Sequence, residues 1–194
     1  MLKVGITGGI GAGKSIVCRI FSNWNIPVFN ADFEARQLMV FNTDLIKQIK
    51  SVFGDNAYNK DGSLNNVYIS EIVFRNAEKL KKLNLLVHPH VRELFLSWTL
   101  KQDAPYILEE AAILFESGSD KFLDKTIMVY SDKETRKKRI IKRNNLTIDK
   151  IEKIMSNQMD DEEKCKKADY IVYNNEKTLL LPQLIKIHKE LTAI

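Results

Sequence analysis

The sequence predicts an α/β fold: a five-stranded parallel sheet with helices on both faces, interrupted by a helical insertion. Three observations carry this. Short apolar runs alternate with helical periodicity near both ends of the chain. A glycine-rich turn joins the first apolar run to the first helical stretch. The middle third holds mostly helical patterns.

The elements follow in order. Leu2 to Thr7 reads as a buried strand that runs into Gly8-Gly9-Ile10-Gly11-Ala12-Gly13. Val17, Ile20, Phe21 and Trp24 then recur at i, i+3, i+4 and i+7, one face of a helix. Pro27 to Asn30 reads as a second strand, ending at Ala31-Asp32. From about Phe33 to Leu100, Leu45, Ile49 and Val52 make one helical face, Ile69, Ile72 and Val73 another, and Leu80, Leu83 and Val87 a third. Asp61-Gly62 marks a turn. Pro89 is expected to open a helix carrying Val91, Leu94, Phe95 and Trp98, with His88 before it in extended backbone. Strand signals return at Pro105 to Leu108, Thr126 to Tyr130 and Tyr170 to Val172-Tyr173. Helical patterns separate the last two, from Lys133 to Lys142 and from Ile148 to Met159. A final helix runs from about Thr178 to Leu191, with Pro182 tolerable only in its first turn. The expected organisation is a core of residues 1–33 and 101–194, an inserted helical domain over 34–100, and a lid at about 143–163.

Composition removes several classes. The chain has 194 residues, of which 44% are hydrophobic and 28% charged, too apolar for wholesale disorder and long enough for a real core. No apolar run approaches the roughly 20 residues needed to span a bilayer, so no membrane attachment is expected. The first residues lack the apolar stretch of a signal peptide. Cys18 and Cys165 form neither a disulfide framework nor a metal-ligand pattern, and they read as reduced thiols of a cytoplasmic protein. The net charge of +5 sits in residues 131–143, SDKETRKKRIIKR, where seven residues are basic and two acidic. One concentrated basic element suits a local anionic ligand better than a coat on nucleic acid.

Gly8-x-x-x-x-Gly13-Lys14-Ser15 is a complete phosphate-loop motif, and it lies after a strand and before a helix as its mechanism requires. Backbone N–H groups of such a loop converge on phosphate oxygens at a helix N-terminus. Lys14 reaches the β- and γ-phosphates, and the Ser15 hydroxyl is a ligand for Mg²⁺. A GTPase is not expected, because no Asp has Gly three positions later. Asn59-Lys60-Asp61 is one residue short of the base-reading motif. The short chain, the insertion after the second strand and the late basic segment suit a P-loop kinase of a small metabolite.

Asp32 lies just past the C-terminal end of the second strand, the edge at which ligands sit in open α/β sheets. A kinase that phosphorylates a hydroxyl needs a carboxylate there to accept its proton. The competing reading is a helix N-cap before Phe33-Glu34-Ala35. Arg36 follows one turn on and could share that face, or be a solvated arginine. Arg139 and Arg143 are four apart, so one helix would present both on one face toward phosphate, unlike the solvated Lys137 and Lys138. One of Glu109, Glu110 and Glu116 could assist Mg²⁺, and the sequence does not select among them. His188, Trp24 and Trp98 read as structural.

The motifs also carry a resemblance. Gly5-Ile6-Thr7-Gly8-Gly9-Ile10-Gly11-Ala12-Gly13-Lys14-Ser15, Ile26 to Asp32 and Ala35-Arg36 resemble the dephospho-CoA kinase family. So do Leu83-Asn84-Leu85-Leu86-Val87-His88-Pro89, Ile113 to Gly118, Arg139-x-x-x-Arg143, Gln158, and Ala168 to Val172 with Asn174. The resemblance spans nearly the whole chain. It implies a P-loop kinase fold with an acceptor domain and a lid, and transfer of a phosphoryl group from ATP to the ribose 3′-hydroxyl of dephospho-CoA, with Mg²⁺. It implies nucleotide contacts at Gly9, Gly11, Ala12, Gly13, Lys14, Ser15, Ile16, Arg139 and Asn174, the metal on Ser15, and catalysis by Asp32, Lys14 and Arg143. The acceptor would meet Asp32, Arg36, His88 and Arg92. No nucleic acid and no obligate protein partner is implied. The sequence departs from the family pattern where Asn30 replaces the first acid of an Asp-Ala-Asp motif, Ile16 replaces Thr, Ala112 replaces Pro, and Asn66 replaces a basic residue. A nucleoside kinase of another kind lacks the Asp32 and His88-Pro89 pair. A nucleic-acid-binding protein would need a second basic stripe or an aromatic motif.

Overall fold

The structure, a computed structural model, describes residues 1–144 and 148–194, with the backbone alone for Arg143, Asn144, Asp149 and Lys150. Strand β1 (Leu2–Thr7) leads through the glycine loop into helix α1 (Lys14–Asn23), and β2 (Val28–Asn30) follows. Helices α2 (Ala31–Phe41), α3 (Thr43–Phe53), α4 (Asn66–Arg75) and α5 (Ala77–Thr99) come next. The remainder is β3 (Tyr106–Glu110), β4 (Lys125–Tyr130), α6 (Lys133–Asn144), α7 (Ile148–Ser156), α8 (Asp161–Lys167), β5 (Tyr170–Tyr173) and α9 (Leu180–Thr192). Two compact units result: Met1–Asn30 with Gln102–Ile194, and Ala31–Lys101.

In the first unit all five strands are parallel, in the order β2-β3-β1-β4-β5. The register sets Gly5 beside Glu109 and Ile6 beside Glu110. Alternation along the strands puts Val4, Ile6, Tyr106, Leu108, Ile127 and Val129 into one core with Val17 and Phe21 of α1 and Leu184 and Ile187 of α9. His188 belongs to this layer. Its Nδ1 lies 2.6 Å from the Tyr106 hydroxyl, and its ring centroid lies 5.1 Å from that of Trp24. Strand β3 extends to Glu110, beyond the Leu108 expected from the apolar run.

The second unit is helical. Asn42, Asn65 and Asn76 cap α3, α4 and α5 by accepting from backbone N–H groups of the following turn. Leu45, Ile49, Phe53, Ile69, Leu83, Val87, Val91 and Phe95 form its buried stripe. The helix start expected at Pro89 is corrected, because α5 runs unbroken from Ala77 to Thr99 with Pro89 inside it and His88 helical. Proline removes one N–H donor. Pro89 and Leu85, whose carbonyl loses that donor, both face solvent, while the stripe Leu83, Val87, Val91 and Phe95 holds the helix on either side. The expected helix from Ile148 to Met159 is shorter, ending at Ser156. Among the described residues, no helix is long and apolar enough to cross a membrane.

Candidate active site

The glycine loop enters α1 at Gly13, whose φ of 97° is left-handed backbone that favours glycine. No side chain caps α1, and its first turn holds no acidic residue. No carboxylate of the helix's own first turn therefore offsets its N-terminal N–H groups and dipole, an arrangement that suits an anion site. Lys14 Nζ donates to the Gly8 carbonyl across the loop at 2.9 Å. On the far side the Asn174 amide donates to the Ala12 carbonyl at 2.8 Å.

Glu110 separates itself from its neighbours. Its Oε1 accepts from Ser15 Oγ at 3.1 Å, and its Oε2 accepts from the Asn30 amide at 2.9 Å. The substitution of Asn30 for an acid thus supplies a donor where two carboxylates would repel. Cys18, one turn after Lys14 and Ser15, is pushed well above the usual thiol range by burial and then by the Glu110 charge. Glu109 is buried, and desolvation raises its carboxyl to about 7. Glu116 accepts from Lys164 Nζ and from the Met159 N–H, both at 2.8 Å, so it serves the scaffold.

The basic segment divides. Arg139 Nη2 donates to the Asn174 carbonyl and to Glu176, each at 3.1 Å, which sets it beside the end of β5 and the loop's Gly13 side. Arg143 lies in α6, and its side chain is outside the described residues. Arg136 points inward, is 3% exposed and pairs with Asp161. Gly9, Gly11 and Ala12 line the loop, while Ile16 faces solvent on α1.

In the helical unit, Asp32 is the second residue of α2 and not its cap, with Arg36 one turn on and both exposed. His88 and Arg92 stand one turn apart on α5, which packs against α2. Burial lowers the pKa of His88, and the nearby Asp32 charge opposes that shift. Burial thus favours the neutral imidazole of His88, with a carboxylate in its field.

Sequence reasoning missed Arg136 and left Gln158 without a role. Gln158 accepts from the Ile10 N–H at 3.0 Å. The available signal for Arg136 was its spacing from Arg139 and Ile140, three and four residues along one helix.

A phosphate loop after the first strand of a parallel β2-β3-β1-β4-β5 sheet, with a basic helix after β4, defines a P-loop kinase fold. The family model for dephospho-CoA kinase matches residues 2–179, and the chain belongs to that family. It is 38% identical over 175 residues to a dephospho-CoA kinase of Fusobacterium nucleatum, covering 90% of each chain. A crystal structure from Thermus thermophilus superposes with a TM-score of 0.83 at 31% identity, over 99% of this chain and 96% of that one. A dephospho-CoA kinase from Campylobacter jejuni superposes at 0.70 with 29% identity, over 98% and 97%.

Proposed function

We propose that the chain transfers the γ-phosphoryl group of ATP to the ribose 3′-hydroxyl of dephospho-CoA, giving coenzyme A and ADP. The family match over residues 2–179 carries this reading. The phosphate loop supports the donor half of it. Lys14 is the point charge for the β- and γ-phosphates, with N–H groups of the loop around them other than those of Ile10, Ala12 and Ile16, which donate within the protein. Ser15 and Glu110 offer hard oxygen donors held together by their own hydrogen bond, a set that fits Mg²⁺. Bound there, the ion neutralises phosphate charge. Asn30 keeps Glu110 turned toward Ser15. Arg139 and Asn174 serve the nucleotide.

On the acceptor side, Asp32 orients the hydroxyl and takes its proton, so the oxygen attacks phosphorus as the bond to the leaving β-phosphate oxygen breaks. Arg36, His88 and Arg92 hold the acceptor. Arg143 stabilises charge as the phosphoryl group transfers. Arg143→Ala is expected to lower kcat more than it raises the KM for dephospho-CoA. A pure KM effect on the acceptor would move Arg143 to the substrate pocket. The unpaired thiols Cys18 and Cys165 are consistent with reaction in the reducing cytoplasm. A coupled ADP-release assay across dephospho-CoA, adenosine and AMP tests the whole reading. Preference for dephospho-CoA is expected, and turnover of adenosine or AMP in its place would overturn the acceptor assignment.

A further inference from the structure

We infer that Gln158 and Arg136 are positioning residues for nucleotide binding, bracing the outer half of the phosphate loop against residues 158–164. The inference rests on the reading of residues 8–15 as the ATP site. Gln158 lies between α7 and α8. Its side-chain oxygen accepts from the Ile10 N–H at 3.0 Å, and its amide donates to the Ala112 carbonyl at 3.3 Å. One side chain thus joins the tip of the loop to the segment after β3. Lys164, fully buried, reinforces the same carbonyl at 3.1 Å while pairing with Glu116 at 2.8 Å.

Arg136 acts one residue earlier in the loop. Its guanidinium pairs with Asp161 and lies against Gly9 so closely that a Cβ there would overlap Nη1. The Asp161 oxygen is 3.2 Å from the same point. A buried ion pair is a weak source of stability compared with apolar side chains of the same size. The pair does fix where the Gly9 backbone can be. Glycine leaves this loop more conformations to lose than any other residue. Residues that confine it before ATP arrives reduce the ordering cost of binding. The Gly13 end is confined separately by Asn174 and by α1. Neither Gln158 nor Arg136 needs to touch phosphate for this effect, which falls on the nucleotide and not on the acceptor.

The test uses the full chain. ATP binding is measured by calorimetry with Mg²⁺, the KM of each substrate by the coupled assay, and protection of the Ile10 amide by hydrogen exchange. Gln158→Ala is expected to weaken ATP binding roughly tenfold, about the worth of one hydrogen bond. Ile10 protection should fall, while the melting temperature and the KM for dephospho-CoA stay near wild type. Gln158→Glu keeps an acceptor for the Ile10 N–H but loses the donor to the Ala112 carbonyl and adds a charge beside the loop, so it should retain Ile10 protection while recovering only part of the affinity. Arg136→Gln alone leaves Asp161 buried without its partner and could unfold the chain. The double variant Arg136→Gln/Asp161→Asn removes both charges and should also weaken ATP selectively. Wild-type ATP affinity in Gln158→Ala, unchanged Ile10 exchange, or equal weakening of both substrates would overturn the brace. Lys14→Ala is the control. If it binds ATP as well as wild type, the reading of the loop fails, and the inference with it. If Lys14→Ala loses ATP and Gln158→Ala does not, only the brace fails.

Discussion

The two compact units hold their candidate residues in different ways. In the sheet unit the nucleotide-side groups are tied by hydrogen bonds from elements far apart in the chain: Ser15 to Glu110, Ala12 to Asn174, Ile10 to Gln158. In the helical unit the acceptor-side groups are placed by helical spacing, Asp32 with Arg36 on α2 and His88 with Arg92 on α5. Asp32, Arg36 and Arg92 are exposed there. The first arrangement holds the loop through many partners, the preorganisation that the proposed phosphate site would use. The second sets its candidate side chains along two packed helices, mostly at the exposed surface. Substitutions in the sheet unit should therefore alter nucleotide affinity or stability together with rate. Those in the helical unit should alter rate with the fold intact.

Asp32→Asn is the strongest test of that contrast. Loss of a general base costs about 10²–10⁴-fold in kcat. ATP affinity and melting temperature should stay at wild type, because Asp32 is exposed and does not cap α2. A wild-type kcat would show that the acceptor chemistry lies elsewhere. Lys14→Ala should cost about 10²–10³-fold in rate, as loss of one aligned electrostatic group does, and should weaken ATP binding as well. Near-normal turnover in the folded variant would remove the loop from the mechanism.

Two smaller effects concern stability in the sheet unit. Burial raises Glu109 from 4.5 to about 7. The folded chain then binds its proton more tightly than the unfolded chain does, so native stability falls as pH rises from about 4.5 to about 7. The whole shift corresponds to about 3 kcal/mol. Glu109→Gln should raise the melting temperature relative to wild type at pH 8 and much less at pH 5. An equal change at both pH values would show that Glu109 is not held in its neutral form. Gly9→Ala drives a methyl group into the Arg136 guanidinium and should cost about 1–3 kcal/mol, as overpacking does. Thermal denaturation with and without ATP measures it, and an unchanged melting temperature would show that Arg136 yields freely.

Much of this was legible in the sequence. The loop, the strand sequence and the helical insertion follow from local patterns of glycine, apolar residues and turn residues. The choice among the three glutamates did not follow. Glu109 and Glu110 are neighbours on a strand buried on both faces, where composition does not say which side chain meets α1. The inward turn of Arg136 was hidden because a run of basic residues reads as one solvated face. The course of α5 through Pro89 was hidden because the local rule for proline is weaker than packing along the buried stripe. In each case the deciding partner lies on a different element.

The hydrogen bond from Asn174 to Ala12 closes 162 positions of chain, and that from Gln158 to Ile10 closes 148. β1 itself has neighbours only in β3 and β4, both synthesised long after it. Contacts so distant in sequence form late in folding. A nascent chain displaying Gly8 to Ser15 thus carries the most recognisable motif of the protein before the partners that hold the loop exist. The hydrogen bonds that confine the loop form only when the residues around Gln158 and Asn174 have left the ribosome. Ligand binding during translation would therefore report completion of the sheet unit and not emergence of the motif, and ATP would stabilise finished chains without rescuing truncated ones.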